Sequence, residues 1–255
     1  MTSILPSDRG LTLGDGLFET VLADRGRLVL WAEHVRRLAA GCELLGLPLP
    51  DTDRCAEAAR GALADAGLAE VRAAVRLSWT AGPGGRGLDR PAAPQPVLFA
   101  TAAPSALDAS PLSLATVSLR RNPTSPASRL KTLAYLDNVL ARREARAAGA
   151  DEALMLETGG MLACAAAANL FWIEGGRLFT PALDCGVLAG TVRAALVKRF
   201  GAAEASVPLE TLDHADAIFL TSSLIGVRPV ARLDGRDYEP GHALTQACAA
   251  FAAAL

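Results

Sequence analysis

The residues best suited to covalent chemistry lie in Ser128-Arg129-Leu130-Lys131-Thr132-Leu133. Lysine occurs only twice in 255 residues, at Lys131 and Lys198, while arginine supplies the other 23 basic side chains. Where any cation would serve, a chain this rich in arginine would be expected to use arginine. An amine that must lose its proton cannot be replaced by a guanidinium, which stays charged. Lys131 is therefore the candidate Schiff-base lysine. The plain alternative is a surface lysine where a proline-rich stretch, Asn122 to Arg129, meets a helix.

A second group of residues suits an anion. Gly190-Thr191-Val192 opens a helical stretch, where backbone N–H groups and the helix dipole favour negative charge. Ser222 and Ser223 end an apolar strand and add hydroxyl donors, and Arg37 can offer a bidentate fork. Each piece has an ordinary reading: a turn glycine, a strand end, a solvated helix face. Taken together, an amine and a phosphate cup predict a phosphorylated aldehyde cofactor, pyridoxal phosphate (PLP).

Composition removes other classes. With 25 basic against 27 acidic residues, the net charge of −2 gives no electrostatic case for nucleic acid or an anionic membrane. No apolar run reaches transmembrane length, and no charged-then-apolar leader is visible, so a cytoplasmic enzyme is expected. Five scattered cysteines without a CxxC pair point away from disulfides and zinc. Three histidines without ligand spacing predict no metal.

Positioning elements follow from periodicity. Turn signals at Asp8-Arg9-Gly10 and Gly14-Asp15-Gly16 precede a strand over 17–23, a hairpin turn at 24–26 and a return over 27–30. Helices are expected over 31–47, with Val35, Leu38, Cys42 and Leu45 inward, and over 53–66, capped by Asp51 or Thr52. Strands are expected over 71–79 and 97–102. Between them, Gly82-Pro83-Gly84-Gly85-Arg86-Gly87 matches GxGxxG, but the prolines that follow cannot open the helix a dinucleotide site needs. It reads as a mobile loop carrying Arg86 toward an anion, or as a plain hairpin loop. Residues 1–104 form a small α+β domain, 105–110 a linker, and 111–255 a larger domain carrying Lys131. That domain has strands over 112–119, 153–156, 161–164, 170–173, 177–179, 206–209, 217–221 and 227–233. Its helices run over 134–148, with Leu136, Val139 and Leu140 inward, from Gly190, and over 241–253.

The chain resembles the fold type IV PLP enzymes, or class IV aminotransferases. The resemblance rests on Asp8-Arg9-Gly10, Gly14-Asp15-Gly16-Leu17-Phe18-Glu19-Thr20, Glu33-His34-Val35-Arg36-Arg37-Leu38 and Lys131-Thr132-Leu133. It continues in Ala150-Asp151-Glu152-Ala153-Leu154, Ala167-Ala168-Asn169-Leu170-Phe171, Leu188-Ala189-Gly190-Thr191-Val192-Arg193 and Thr221-Ser222-Ser223. It implies an α+β fold of the D-amino acid aminotransferase type, a small domain plus a larger distorted barrel, and a homodimer acting on a small molecule. By resemblance, Lys131 is the catalytic lysine. Arg37, Asn169, Leu188, Thr191, Val192, Ser222 and Ser223 contact PLP, while Phe18 and Arg86 meet substrate. Gly84-Gly85-Arg86-Gly87, the stretch ending in Trp172, and Ser223-Leu224-Ile225-Gly226-Val227 look most like the aminodeoxychorismate lyase branch. Transamination of D- or branched-chain amino acids is the alternative. The family's glutamate beside the pyridine nitrogen is replaced by Cys164, which raises a third reading, a homologue without catalysis. The N-terminal strand of relatives is expected to be shortened.

Overall fold

The computed structural model describes residues 4–255 and forms two compact units. The first runs to Ala106 and takes in Leu130–Tyr135; the second comprises Leu107–Arg129 and Leu136–Leu255. Lys131 therefore packs with the first unit, not with the larger domain where the sequence placed it. The cause is strand pairing. Leu17 bridges Thr132, the Phe18 N–H donates to the Lys131 carbonyl at 2.8 Å, and the Leu133 N–H donates to Gly16 at 3.0 Å. The expected shortening of a leading strand falls partly on residues 1–3, outside the described residues.

In the first unit the turn signal at Asp8 is the cap of a short helix, α1 (Arg9–Leu13). The Asp8 carboxylate accepts from the Gly10 N–H at 2.7 Å and from Thr80 Oγ1 at 2.8 Å. Strands β1 (Gly16–Asp24) and β2 (Arg27–Leu28) form the expected hairpin. Arg25 and Gly26, at φ 48° and 76°, make its two-residue primed turn. Helices α2 (Trp31–Leu45) and α3 (Thr52–Asp65) follow, then β3 (Ala73–Thr80) and β4 (Val97–Pro104). Asp51 caps α3 by accepting from Arg54 N–H at 2.8 Å. The antiparallel sheet runs β2-β1-β3-β4. Leu17, Leu77 and Trp79 pack with Leu38 and Cys42 of α2 and Cys55 of α3. By strand alternation, Phe18, Thr20, Arg76 and Ser78 belong to the opposite face.

The glycine loop after β3 is anchored at both ends. Gly82 has φ 78°, and a Cβ there would sit 1.8 Å from the Gln95 carbonyl. Buried Arg9 ties the loop down by donating to the carbonyls of Leu88 at 2.7 Å, Asp89 at 3.0 Å and Gly87 at 3.4 Å. Its Nε also meets Asp15 at 2.9 Å. Hydrogen bonds from Arg90 and Arg9 outweigh burial and hold the Asp15 carboxyl below its ordinary value.

In the second unit, β5 (Leu112–Arg121), the single turn α4 (Pro126–Arg129), α5 (Leu136–Ala147), β6 (Glu152–Glu157), β7 (Leu162–Ala165) and β8 (Asn169–Glu174) come first. After them come β9 (Arg177–Pro181), α6 (Thr191–Phe200), β10 (Ala203–Ala205), β11 (Ala217–Ser222), β12 (Gly226–Leu233), β13 (Arg236–Asp237) and α7 (Ala243–Ala253). Six strands pair in the order β8-β11-β12-β5-β6-β7, and the Cys164–Asn169 pair joins β7 back to β8. The result is the expected distorted barrel, filled by Leu154, Leu162, Leu170, Trp172, Ile218 and Leu220.

Two expectations fail here. Leu136, Val139 and Leu140 face outward on α5, while Asn138, Ala141 and Ala145 are buried. The helix seats on a floor that includes Val117, Ala153 and Met155, where small side chains permit close approach. The Asn138 amide also donates to the Ala166 carbonyl at 2.6 Å. The strand expected over 206–209 is instead β10, three residues earlier and parallel to β9, with a 3-10 turn over Leu209–His214. Pro208 has no N–H with which to continue a ladder.

Arg9→Met should lower unfolding free energy by about 3 kcal/mol, because a buried charge pair loses one partner and three carbonyls lose their donor. Denaturant titration measures this, and limited trypsin digestion should show new cleavage after Arg86. An unchanged midpoint with an intact loop would contradict the anchoring role.

Candidate active site

In the first unit the chemistry gathers around Phe18. Lys131 Nζ lies 4.3 Å from the Phe18 ring centroid and 5.3 Å from that of Tyr135. The two rings meet edge to face at 5.1 Å. Arg76 reaches the same Phe18 ring, with Cζ 3.6 Å from its centroid. Burial is the main cause that lowers the Lys131 pKa to about 8; Arg37 and Arg76 add to the shift and Glu19 opposes it. A useful fraction of this amine is thus neutral near physiological pH, as a nucleophile or base requires.

Glu19 shows why one carboxylate nearby does not keep the lysine charged. It is buried, with Oε2 2.7 Å from His34 Nδ1, and it accepts from Arg37 at 2.9 and 2.5 Å. Burial would push its pKa up, but Arg37 and His34 hold it below the ordinary value. Its charge is therefore largely committed. Arg37, expected among the phosphate contacts, is oriented by this pair.

The second unit gathers the remaining candidates at one end of the barrel. Asn169 pairs with Cys164 on one side and Thr221 on the other. Its amide donates to the Leu188 carbonyl at 2.9 Å. Leu188 leads into Gly190, the N-cap of α6, where a Cβ would fall 2.0 Å from Asn169 Oδ1. A larger residue here would have to displace the Asn169 amide. The first bond of the α6 ladder runs from Ala194 N–H to Gly190 O, so the amides of Thr191 and Val192 lie ahead of it. Thr191 Oγ1 is 3.2 Å from Ser223 Oγ. Ser222 is the last residue of β11. The Thr221 hydroxyl is buried, and no hydrogen-bond partner for it is found among the described residues.

Cys164 is buried beside Cys185 and Val187. Burial raises its thiol pKa and Arg121 only partly offsets this, so the group is neutral. Arg121 is itself buried, donating to Gly186 O at 3.2 Å and to the Ser128 carbonyl. Among the described residues no cluster of metal ligands occurs, and no helix is long and apolar enough to cross a membrane.

Of the sequence candidates, Lys131 and Phe18 come together in the first unit, while Cys164, Asn169, Leu188, Thr191, Ser222 and Ser223 gather in the second. Arg86 is exposed, and no side-chain hydrogen bond to it is found among the described residues. Sequence reasoning missed Arg76, Tyr135, Arg121 and Thr221. Arg76 alternates with buried Val75 and Leu77 in β3 and so has the pattern of a solvated arginine; only the tertiary fold places it over Phe18.

Residues 16–233 match the family described as Amino-transferase class IV. The chain belongs to the class IV aminotransferase family. A putative branched-chain-amino-acid aminotransferase of Methanocaldococcus jannaschii is 33% identical over 90% of this chain and 82% of its own length. An aminodeoxychorismate lyase of Vibrio harveyi is 27% identical over 92% and 89%. Among solved structures, a putative 4-amino-4-deoxychorismate lyase from Legionella pneumophila superposes with a TM-score of 0.91 at 29% identity, covering 98% of this chain and 94% of that one. The fold is therefore fold type IV, and the family depends on PLP. The residues present fit that cofactor. A buried amine with a lowered pKa suits its aldehyde, and a helix start with adjoining Thr191 and Ser223 hydroxyls suits its phosphate.

The Lys131 shift has a consequence for the cofactor-free protein. Between about pH 8 and the ordinary value of 10.5, the unfolded chain holds a proton that the folded chain has released. Stability attributable to this group therefore rises with pH through that window, and a penalty is present below it. Cofactor-free Lys131→Met should be more stable than wild type at pH 7, by roughly 2–3 kcal/mol, with the advantage fading toward pH 10.5. Denaturant unfolding across pH measures it; equal stability at pH 7, or an advantage that ignores pH, would contradict the assignment.

Proposed function

We propose that this chain is a PLP-dependent lyase that converts 4-amino-4-deoxychorismate to 4-aminobenzoate and pyruvate. The observation that carries the reading is the buried, neutral Cys164 thiol paired with Asn169. When bound, PLP supplies an electron sink for the carbon that bears the substrate amine. A carboxylate beside its ring nitrogen would deepen that sink by keeping the nitrogen protonated; a neutral thiol, a weak donor and poor acceptor, does not. Transamination depends on a deep sink. An elimination that creates an aromatic ring is driven by its product and depends on one less. The aminodeoxychorismate lyases among the relatives support the same choice.

In this reading Lys131 is the covalent anchor and the base. Its neutral Nζ removes the proton from the amine-bearing ring carbon as the bond to the enolpyruvyl oxygen breaks, and a proton delivered to the departing methylene gives pyruvate. Thr191, Val192, Ser222 and Ser223 hold the phosphate together with Arg37, which Glu19 orients. Asn169 fixes Leu188 and the approach to Gly190. A homodimer belongs to the proposal, supported by the exposed apolar stripe of Leu136, Val139 and Leu140 on α5.

The purified holoenzyme incubated with 4-amino-4-deoxychorismate should release 4-aminobenzoate. With D- or L-alanine, conversion of the cofactor to its pyridoxamine form should be slow in wild type and faster in Cys164→Glu, followed by absorbance under single-turnover conditions. Fast conversion by wild type without 4-aminobenzoate release would favour an aminotransferase, the activity named for the Methanocaldococcus jannaschii relative.

A further inference from the structure

Arg121 ends β5 and is buried, yet no carboxylate forms an ion pair with it among the described residues. Glu157 stands across from it on β6, but that carboxylate accepts from the Met161 N–H at 3.0 Å and from Thr158 Oγ1 at 3.4 Å. A buried charge without a counter-charge is costly. What the guanidinium meets instead is a pair of backbone carbonyls. Its Nε donates to Gly186 at 3.2 Å and its Nη2 donates to Ser128. A planar fork reaches two such acceptors in fixed geometry, which an ammonium point charge does not.

Both acceptors lie on segments that lead to the proposed cofactor contacts. Ser128 stands three residues before Lys131, and Gly186 stands four before Gly190, the N-cap of α6. Among the described residues, the hydrogen bonds found on 122–129 are the loop's own turns, apart from the one that Arg121 gives to Ser128. The two segments also pack together. A Cβ on Gly186, at φ 72°, would sit 3.2 Å from Pro123 Cα and 3.4 Å from Ser128 Cβ. Each end has an anchor of its own: the Lys131 carbonyl accepts from the Phe18 N–H, and the Leu188 carbonyl accepts from the Asn169 amide. Neither anchor relates one segment to the other. We propose that Arg121 is a positioning residue that ties the segment leading into Lys131 to the turn leading into α6, so that a ligand with both an aldehyde and a phosphate meets two ends already held together. Such preorganisation favours a ligand that engages both ends and gives nothing to one that engages a single end. The inference rests on the proposed function in taking Lys131 as the partner of the aldehyde and the start of α6 as the partner of the phosphate.

The test compares ligands that engage one end or both. Cofactor-free wild type, Arg121→Gln, Arg121→Lys and Gly186→Ala are titrated with PLP, with pyridoxine phosphate, which has the phosphate but no aldehyde, and with pyridoxal, which has the aldehyde but no phosphate. Amide hydrogen exchange is followed in parallel without ligand. Arg121→Gln should weaken PLP binding about tenfold or more and leave the two single-ended ligands within about twofold. Arg121→Lys keeps the charge but not the fork, and should fall between wild type and Arg121→Gln. Gly186→Ala keeps Arg121 but forces the segments apart; it should repeat the pattern of Arg121→Gln, and it decides the matter if Arg121→Gln does not fold. Exchange over 122–129 and 183–188 should quicken in Arg121→Gln and Gly186→Ala, while β1 and β3 stay protected. Equal losses for all three ligands, no loss for PLP, or unchanged exchange in both segments would overturn the proposal. Borohydride labelling of PLP-loaded wild type separates the two possible failures. A label at Lys198 would remove the lysine assignment and this inference together, whereas a label at Lys131 with equal ligand losses would remove this inference alone.

Discussion

The structure depends on burying one amine so that its proton is held less tightly than on an ordinary lysine. Desolvating Lys131 against Phe18 and Tyr135, with Arg37 and Arg76 within electrostatic reach, brings its pKa to about 8. That cost has to be met by the rest of the first unit. Three residues of the 130–135 segment are fastened to β1 by backbone pairing, and Leu130 packs against the core beneath α2. Glu19 is the one group that would favour the protonated amine, and His34 and Arg37 restrain it. The same contact set orients Arg37, whose charge adds to the lowering of the Lys131 pKa while Glu19 opposes it.

The second unit solves a different problem, leaving polar groups available at the end of a closed barrel. The Cys164–Asn169 pair closes the ring of strands, and Asn169 then fixes Leu188, which sets where α6 begins. Gly190 leaves room for the Asn169 side chain, and its backbone is not in a turn conformation that calls for glycine. The Thr221 hydroxyl and the Thr191–Ser223 contact sit at the same strand end. A thiol in place of a carboxylate at Cys164 leaves this end of the barrel without a dedicated negative charge, because Glu152, the carboxylate that Cys164 senses, is paired with Arg142.

Much of this was legible in the sequence because the signals are local. The scarcity of lysine marked Lys131, the Asp51 cap and apolar spacing marked the first-unit helices, and a glycine before Thr191 marked the start of α6. What escaped depends on tertiary contacts. Leu136, Val139 and Leu140 have the spacing of an inward stripe, but the helix buries Ala141 and Ala145 against the floor and Asn138 on the Ala166 carbonyl, so the leucine and valine side chains face outward. The placement of Lys131 in the first unit follows from a long-range strand bridge that no local pattern encodes. Arg9 looked like part of a turn, yet it anchors a loop nearly eighty residues away.

The central claim is that Lys131, and not the chain's other lysine, holds the cofactor. With only Lys131 and Lys198 present, borohydride reduction of the PLP-loaded protein followed by peptide mapping gives a two-way answer. The account predicts a phosphopyridoxyl label at Lys131 alone, forming with a pH dependence centred near 8 in keeping with the lowered pKa. A label at Lys198, or none on either lysine in protein that has bound PLP, would contradict it.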